Sequence, residues 1–488
     1  MEQAQTLQLH VNEYALGAFL FYLLLVTGIG IYSARFSSTG ISEYFLAGRK
    51  LKQYVVALSA VSSGRSSWLL LGVSGMAYVR GCSAVWAVVG YIVVELFLFL
   101  TVGRRLREYT ERMDSITIPD FFAARFGDPL HLLRGLSVLI ITIFMIAYVA
   151  AQFTAGGKTF AASFGLSNTT GVLITATIVL VYTLLGGFLA VSLTDFIQAL
   201  FMIFSLVALP IIAIVQFGGF EQMMDTLQQL SPSHVDPFAI SFGGFLGFLG
   251  IGLGSPGNPH ILVRYMSIDN PDHLRHSAIT GTIANVVMAW GAIFIGLVGR
   301  VLYPQPEMIP GADPENLYPY LAQQHVHPIL FGLIVASIFA AIMSTADSQL
   351  LVAASSIIRD VYQRILRRGE EINPTRLVLY SRTVVFLVVV LALILGSLAS
   401  QLVFWLVLFA WGGLGAAFGP GILFSLYWKK TTRAGIIAGM ITGTVSIIVW
   451  NRIPFLKQQI YELVPAFVLA SVAIWLVSIL TRPGKTRS

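Results

Sequence analysis

The chain has 488 residues, of which 56% are hydrophobic and 11% charged, with a mean hydropathy of +0.80. A soluble protein of this size cannot hide so much apolar surface, so composition excludes a soluble fold and points to an all-α polytopic membrane protein. The net charge of +7 is spread over short loops, which excludes a basic nucleic-acid-binding domain; the single Cys82 excludes an intrachain disulfide and a cysteine metal cluster.

Thirteen apolar runs fall near 11–32, 54–79, 84–103, 134–163, 171–190, 192–216, 239–258, 277–302, 328–358, 376–398, 402–428, 434–451 and 463–480. About thirteen transmembrane helices are therefore expected. The first run has no Lys or Arg before it and no small-residue cleavage site, so it reads as a retained span rather than a signal peptide. With the N-terminus outside, the inside loops 33–53, 104–133, 259–276, 359–375 and 429–433 and the tail hold most of the basic residues. Arg35, Arg49, Arg104, Arg105, Arg264, Arg359, Arg364, Lys429, Arg482, Lys485 and Arg487 are among them. The outside loops 217–238 and 303–327 carry Glu221, Asp225, Asp236, Glu307, Asp313 and Glu315 but no Lys or Arg. This asymmetry predicts an odd number of spans, a cytoplasmic C-terminus and a plasma-membrane location, bacterial by expectation.

The second run is apolar except at its middle, where Ser59, Ser62, Ser63, Gly64, Arg65, Ser66 and Ser67 are gathered. Gly64 weakens a helix there, and the serine hydroxyls can satisfy backbone groups freed by an unwound turn. Arg65 at mid-depth costs several kcal/mol unless it meets an anion, water or a ligand, although it can also serve only to tie two helices together. The seventh run is likewise interrupted, by Gly250, Gly252, Gly254, Ser255, Pro256, Gly257 and Pro259, five spans later. Two interrupted spans at matching places predict a five-plus-five inverted-repeat transporter. The chain then divides into 1–53 (extra span and loop), 54–216 (first repeat), 239–428 (second repeat) and 429–488 (extra spans and tail).

Four further ionisable residues interrupt apolar runs: Glu95, Lys158, Asp195 and Asp347. Thr194 or Asp195 can cap the sixth span, or Asp195 can belong to an ion pathway. Glu95 and Lys158 can snorkel or pair with neighbours. Ser344, Asp347, Ser348 and Ser355 give the ninth span one polar face. Hydroxyls beside freed carbonyls are hard oxygen ligands suited to an alkali cation; the plainer reading is hydrogen bonding between helices. The glycines between Trp411 and Pro420 read as helix-packing positions.

Several motifs together resemble the sodium:solute symporter family, and within it the sodium/proline branch. They are Tyr44-Phe45-Leu46-Ala47-Gly48-Arg49, Leu58-Ser59-Ala60, Trp68-Leu69-Leu70-Leu71-Gly72, Ile118-Pro119-Asp120-Phe121-Phe122, the run from Gly186 to Gln198, Pro259-His260-Ile261-Leu262-Val263-Arg264, Met343-Ser344-Thr345 and Phe418-Gly419-Pro420. The resemblance implies a sodium ion held by main-chain oxygens of Ser62, Arg65 and Ala341 and the hydroxyls of Ser344 and Thr345. It places Asp195 on the sodium exit route, with Asp347 beside the pathway. It implies a solute site at Ser63, Gly64, Arg65, Ser66, Ile251, Ser255 and Pro259.

Two departures stand out. The branch has an aspartate and a methionine where this chain has Gly64-Arg65, and like charges about 5 Å apart repel by a few kcal/mol even at an effective dielectric near 20. The branch also has a tryptophan and a tyrosine where this chain has Ile251 and Ser255, so the walls expected to pack a proline ring are missing from the seventh span.

The expected function is sodium-coupled uptake of a small organic solute by alternating access, with proline or another amino acid as default. The alternatives are a symporter for an anionic or carboxylate-bearing solute with weakened sodium dependence, and a transporter-fold sensor. No enzymatic activity, cofactor, nucleic-acid partner or obligate protein partner is expected; the partners are solute, sodium and bilayer. Arg65 is expected to pair with Asp347, or else to hold a solute carboxylate or occupy the cation position itself.

Overall fold

The computed structural model describes residues 12–34, 41–185, 187–368, 370, 373–397 and 402–482. Arg35, Gly186, Lys485 and Arg487 lie outside them. Among the described residues the chain is helical and has no strand. One isolated bridge joins Leu51 to Ile268, tying the entry of the second span to the exit of the seventh.

Among the described residues ten continuous stretches are long and apolar enough to cross a membrane, including Glu13–Ser33, Gln53–Arg112, Leu132–Phe164, Phe188–Phe217 and Pro328–Leu366. The 60-residue stretch contains two of the runs read in the sequence, folded back at Gly81. Gly81 has φ +65°, and a Cβ there would run into the His234 backbone, so the reversal needs glycine. The helix Asn168–Leu185 is the short one, and the seventh run is broken into Phe242–Leu249, a 3₁₀ segment Gly250–Gly257 and Pro259–Ser267. Side chains such as Leu24, Val93, Ile143, Val215 and Leu391 face outward, as a lipid-solvated surface requires.

Four elements form the inner bundle: Gln53–Ser67 and Phe188–Phe217 pack against each other, and both pack against Leu274–Leu302 and Pro328–Ser355. The 3₁₀ segment of the seventh run lies between Val85–Phe97 and Val403–Tyr427. Its close approach to the third span depends on glycine on both sides. A Cβ on Gly252 would meet the carbonyl of Gly90, and one on Gly90 would meet the backbone of Leu249. The last two long helices, Arg433–Arg452 and Leu463–Leu480, pair with each other and cover Val403–Tyr427 from outside. At one end of the molecule Lys158 bridges Asp313 and Glu315 at 2.7 and 2.6 Å. Glu315 also accepts from the backbone N–H groups of Val403 and Phe404, so it caps a helix that would otherwise start with bare donors.

Candidate functional site

The second span breaks where the serines predict. The helix Gln53–Ser67 carries Ser66 at φ +40°, ψ −172°, and continues as a π-helical turn, Trp68–Val73. A serine rarely adopts that conformation. It is held because the Ser66 hydroxyl accepts from Trp68 N (3.1 Å) and because Gln152 Oε1 accepts from both the amide and the hydroxyl of Ser67 (3.2 and 2.9 Å). The break thus takes its partners from its own side chain and from the fourth span.

The ninth span faces it. Ser344 Oγ lies 3.2 Å from the Ser62 carbonyl and 3.2 Å from the Ala341 carbonyl, and Thr345 Oγ1 donates to the Ser63 carbonyl at 3.0 Å. These are neutral, hard oxygens from two elements, all buried and facing one another across the break. The donor set suits a weakly coordinated alkali cation and not a softer metal. The Arg65 carbonyl, the other main-chain oxygen expected there, accepts from Trp68 N–H.

Below the break lies a buried ionic cluster. Asp195 Oδ2 accepts from Ser59 Oγ (2.6 Å), Arg264 Nη2 (2.9 Å) and Ser63 Oγ (3.2 Å). Arg264 also reaches the hydroxyls of Ser59, Ser63 and Ser348 and the His260 carbonyl. Asp347 accepts from Ser348 Oγ at 3.1 Å, and its second oxygen has no hydrogen-bond partner. Two readings are corrected here. The sixth-span helix begins at Phe188 with Gly187 as its cap, so neither Thr194 nor Asp195 caps it. Arg264, counted as a loop charge, is fully buried in Pro259–Ser267 and belongs to this cluster.

Arg65 is also corrected. It is fully buried, but it points toward the third and eighth spans and not toward Asp347. Its Nε donates to Asn285 Oδ1 at 2.7 Å, its Nη2 is 3.8 Å from Glu95 Oε2, and Asn285 donates to the same carboxylate oxygen. The guanidinium lies over the Tyr91 ring, 3.5 Å from the centroid, a cation–π contact. Asp347 does not pair with Arg65, and the buried arginine of the ionic cluster, Arg264, pairs with Asp195 instead.

A central cavity lies beside the break, lined by Gly64, Trp68, Tyr91, Tyr148, Ile251, Val407, Leu408 and Trp411. It is nearly closed, at about 10 Å³, room for about one water. A wide vestibule of about 880 Å³, rimmed by Arg80, Lys457 and Glu462, reaches down to Ile251 and Leu408, which line both spaces. Those two side chains are the septum between them. Of the expected solute residues, Gly64 and Ile251 line the cavity. Ser63 turns to the ionic cluster and Arg65 sits behind Tyr91; Ser66 accepts from Trp68 N and lies beside Tyr148, and Ser255 is buried beside Tyr91, so these two serines stand behind the lining. Pro259 lines a different space, of about 20 Å³, with Phe45, Phe188 and Ser355.

The aromatic walls missing from the seventh span come from elsewhere. Trp68, Tyr91 and Trp411 form a stacked column, with centroids 6.5 and 5.3 Å apart and both interplanar angles 27°. Trp411 is fixed by its indole N–H donating to the Ile251 carbonyl at 2.8 Å. Residues 44–443 match the profile of the sodium:solute symporter family. The chain is 38% identical over 477 residues to a sodium/proline symporter of Staphylococcus aureus (strain JH9), covering 95% of this chain and 92% of that one.

The chain belongs to the sodium:solute symporter family. Its fold is similar to that of a Na⁺-coupled sialic acid symporter in a substrate-bound, outward-open state. That match has a TM-score of 0.83 and 18% identity and covers 97% and 99% of the two chains. A nucleobase-cation-symport-1 family transporter with bromovinylhydantoin bound is a more distant match, with a TM-score of 0.56, 12% identity and coverage of 91% and 96%. At these identities the two structures establish the fold alone.

Within this symporter, Tyr91, Glu95, Tyr148, Gln152, Asn285 and Trp411 shape the site, and the sequence reading gave none of them a role there. Glu95 was visible as a stray carboxylate. The aromatic residues gave no signal, because single aromatics in apolar runs are indistinguishable from lipid-facing or core positions.

Proposed function

We propose that this symporter takes up a small organic solute by alternating access, coupled to sodium, with proline as the default solute. The observation that carries the reading is the pair of contacts Ser344 Oγ to Ser62 O and Thr345 Oγ1 to Ser63 O, which gathers hard oxygens at a helix break. The 38% identity to a sodium/proline symporter supports the choice of solute. In this reading sodium is cargo, bound by the oxygens of Ser62, Arg65, Ala341, Ser344 and Thr345. Asp195 and Asp347 lie on its path toward the cytoplasm. The vestibule rimmed by Arg80 and Lys457 is the outer entrance, and the Asp195–Arg264 cluster is the closed inner side.

The same reading counts thirteen spans by splitting the long stretch at Gly81 and admitting Asn168–Leu185 and the broken seventh run. It assigns 54–216 and 239–428 to two inverted repeats, the N-terminus to the outside and the protein to a bacterial plasma membrane. A second reading, a carboxylate-bearing solute with weaker sodium dependence, is favoured by Gly64, which brings no carboxylate to the break. Uptake of labelled proline and of a panel of other labelled amino and carboxylic acids into proteoliposomes, with and without an inward sodium gradient, tests both. Gradient-driven accumulation supports the first. Accumulation indifferent to sodium selects the second, and no accumulation of any amino or carboxylic acid defeats both.

A further inference from the structure

Two polar groups in the wall of the central cavity are poorly satisfied. The Trp68 indole N–H is buried with no hydrogen-bond partner, and the buried Tyr91 hydroxyl has only the Ser255 hydroxyl beside it, with no bond of good geometry. A buried donor left unpaired is costly, so groups of this kind mark places that a ligand or water completes. The side chains that line the cavity carry no charge. Whatever polar end the solute presents there therefore meets neutral donors, with aromatic faces around its apolar body.

Gly64 explains why Tyr91 can be where it is. A Cβ at position 64 would collide with the Tyr91 hydroxyl, with Ile261 Cδ1 next at 3.3 Å. The third-span phenol thus occupies the space that a side chain on the second-span break would need. Behind the ring, Arg65 presses its guanidinium on the π face, and Asn285 and Glu95 hold the guanidinium in turn. A cation on the ring face draws electron density from the phenol and makes its O–H a better donor. Gly64 and Arg65 are adjacent in sequence and act on the same ring, one by making room and the other by holding it.

We infer that Tyr91 is the specificity-determining residue of the central cavity, its hydroxyl and the Trp68 N–H receiving the carboxylate of a small monocarboxylate or zwitterionic solute. Arg65 is a positioning residue that acts through the ring and does not touch the solute. The inference rests on the transport reading for the site's use, but its test does not need transport. A solute enters when Ile251 and Leu408 part, since both separate the cavity from the vestibule.

The test is equilibrium binding to the purified full-length protein in detergent. The probes are proline, prolinamide (the same ring and amine without the carboxylate), and a panel of other small amino acids and short monocarboxylates with their amides. Wild type is expected to bind the acid form at least tenfold more tightly than its amide. Tyr91→Phe removes the donor and should shrink that ratio about tenfold or more, the value of a hydrogen bond to a charged group. Gly64→Ala should abolish binding of acid and amide alike. Adding Tyr91→Phe to Gly64→Ala should restore amide binding, because the colliding oxygen is gone. Thermal unfolding of Gly64→Ala separates collision from collapse: a single variant that unfolds near the wild-type temperature yet binds neither probe has lost only the site. An unchanged acid-to-amide ratio in Tyr91→Phe overturns the inference, as does wild-type-like binding by Gly64→Ala or a wild type that binds none of the acids. Intact discrimination in binding without sodium-driven uptake would strike the transport reading and leave the assignment of Tyr91 standing.

Discussion

Arg65 and Tyr91 form a stacked pair, guanidinium over phenol at 3.5 Å, in the space between the broken second span and the third. This accounts for an arginine at the middle of a membrane protein. The charge is met from one side by a π face and from the other by Asn285 and Glu95, and no lipid or solvent touches it. The Glu95 partner is loosely placed at 3.8 Å, and Asn285 bridges the gap by bonding to both.

Arg65→Met should therefore destabilise the protein by about 3–5 kcal/mol, because it leaves Glu95 buried without its cation. Arg65→Met combined with Glu95→Gln removes both charges and should recover most of that loss. Thermal unfolding of the single and double variants in detergent gives the comparison. A double variant no more stable than Arg65→Met would mean that the pair is not what keeps Arg65 in place.

Ser344→Ala with Thr345→Ala removes two of the oxygens facing the break and leaves the backbone carbonyls of Ser62 and Ser63 in place. The sodium concentration for half-maximal proline uptake should rise about tenfold or more, as expected for losing contacts to a charged ligand worth ~1.5–3 kcal/mol each. Proline half-saturation at saturating sodium should move far less. An unchanged sodium dependence would show that these hydroxyls only join helices.

In the loop between the third and fourth spans, Asp120 accepts from Arg134 at 2.6 Å, from Arg359 at 3.4 Å and from the Ile116 amide at 3.2 Å. Burial by itself would raise its pKa, but the charges of Arg359 and Arg134 outweigh burial and hold it below the ordinary carboxylate value. A depressed pKa gives stability that is fully present above the unfolded-state value and lost as pH falls through the folded one. Wild-type thermal midpoints should thus be flat near neutrality on this group's account and fall below about pH 4. Asp120→Asn should start lower by about 3 kcal/mol and lose less on acidification. Parallel pH profiles for the two proteins would argue against this role.

The topology is checked by thiol labelling. Cys82 is the only cysteine, so Cys82→Ser gives a clean background. Lys457→Cys, at the vestibule rim, should react with an impermeant maleimide added outside intact cells. Arg364→Cys, in the cavity shared by Arg134 and Arg359, should react only after permeabilisation. The opposite pattern would invert the orientation.

Much was legible in the sequence because it depends on local composition. Apolar runs of membrane length, the serine-rich interruption at 59–67 and the glycine–proline interruption at 250–259 are chain-local facts, and the bilayer permits few ways to satisfy the backbone in them. The facing of Ser344 and Thr345 onto the break also follows the family's pattern, residue by residue.

Partnership was not legible, since which buried charge meets which is set by helix rotation and crossing in three dimensions. Asp347 is the partner the sequence suggests for Arg65, because its helix is expected to face the same cavity and the pairing needs only a residue already in the chain. The second-span helix turns Arg65 toward Glu95 and Asn285, and Arg264, which sequence placed in a loop, fills the space beside Asp195. The aromatic wall was equally hidden. Tyr91, Tyr148 and Trp411 come from three different spans, and only packing through glycine contacts such as Gly90 on the seventh span brings them to one cavity. The residue types and their depth were written in the chain; which faces meet was decided by close packing, because a buried polar group takes the partner that helix geometry puts within 3 Å of it, whatever its sequence separation.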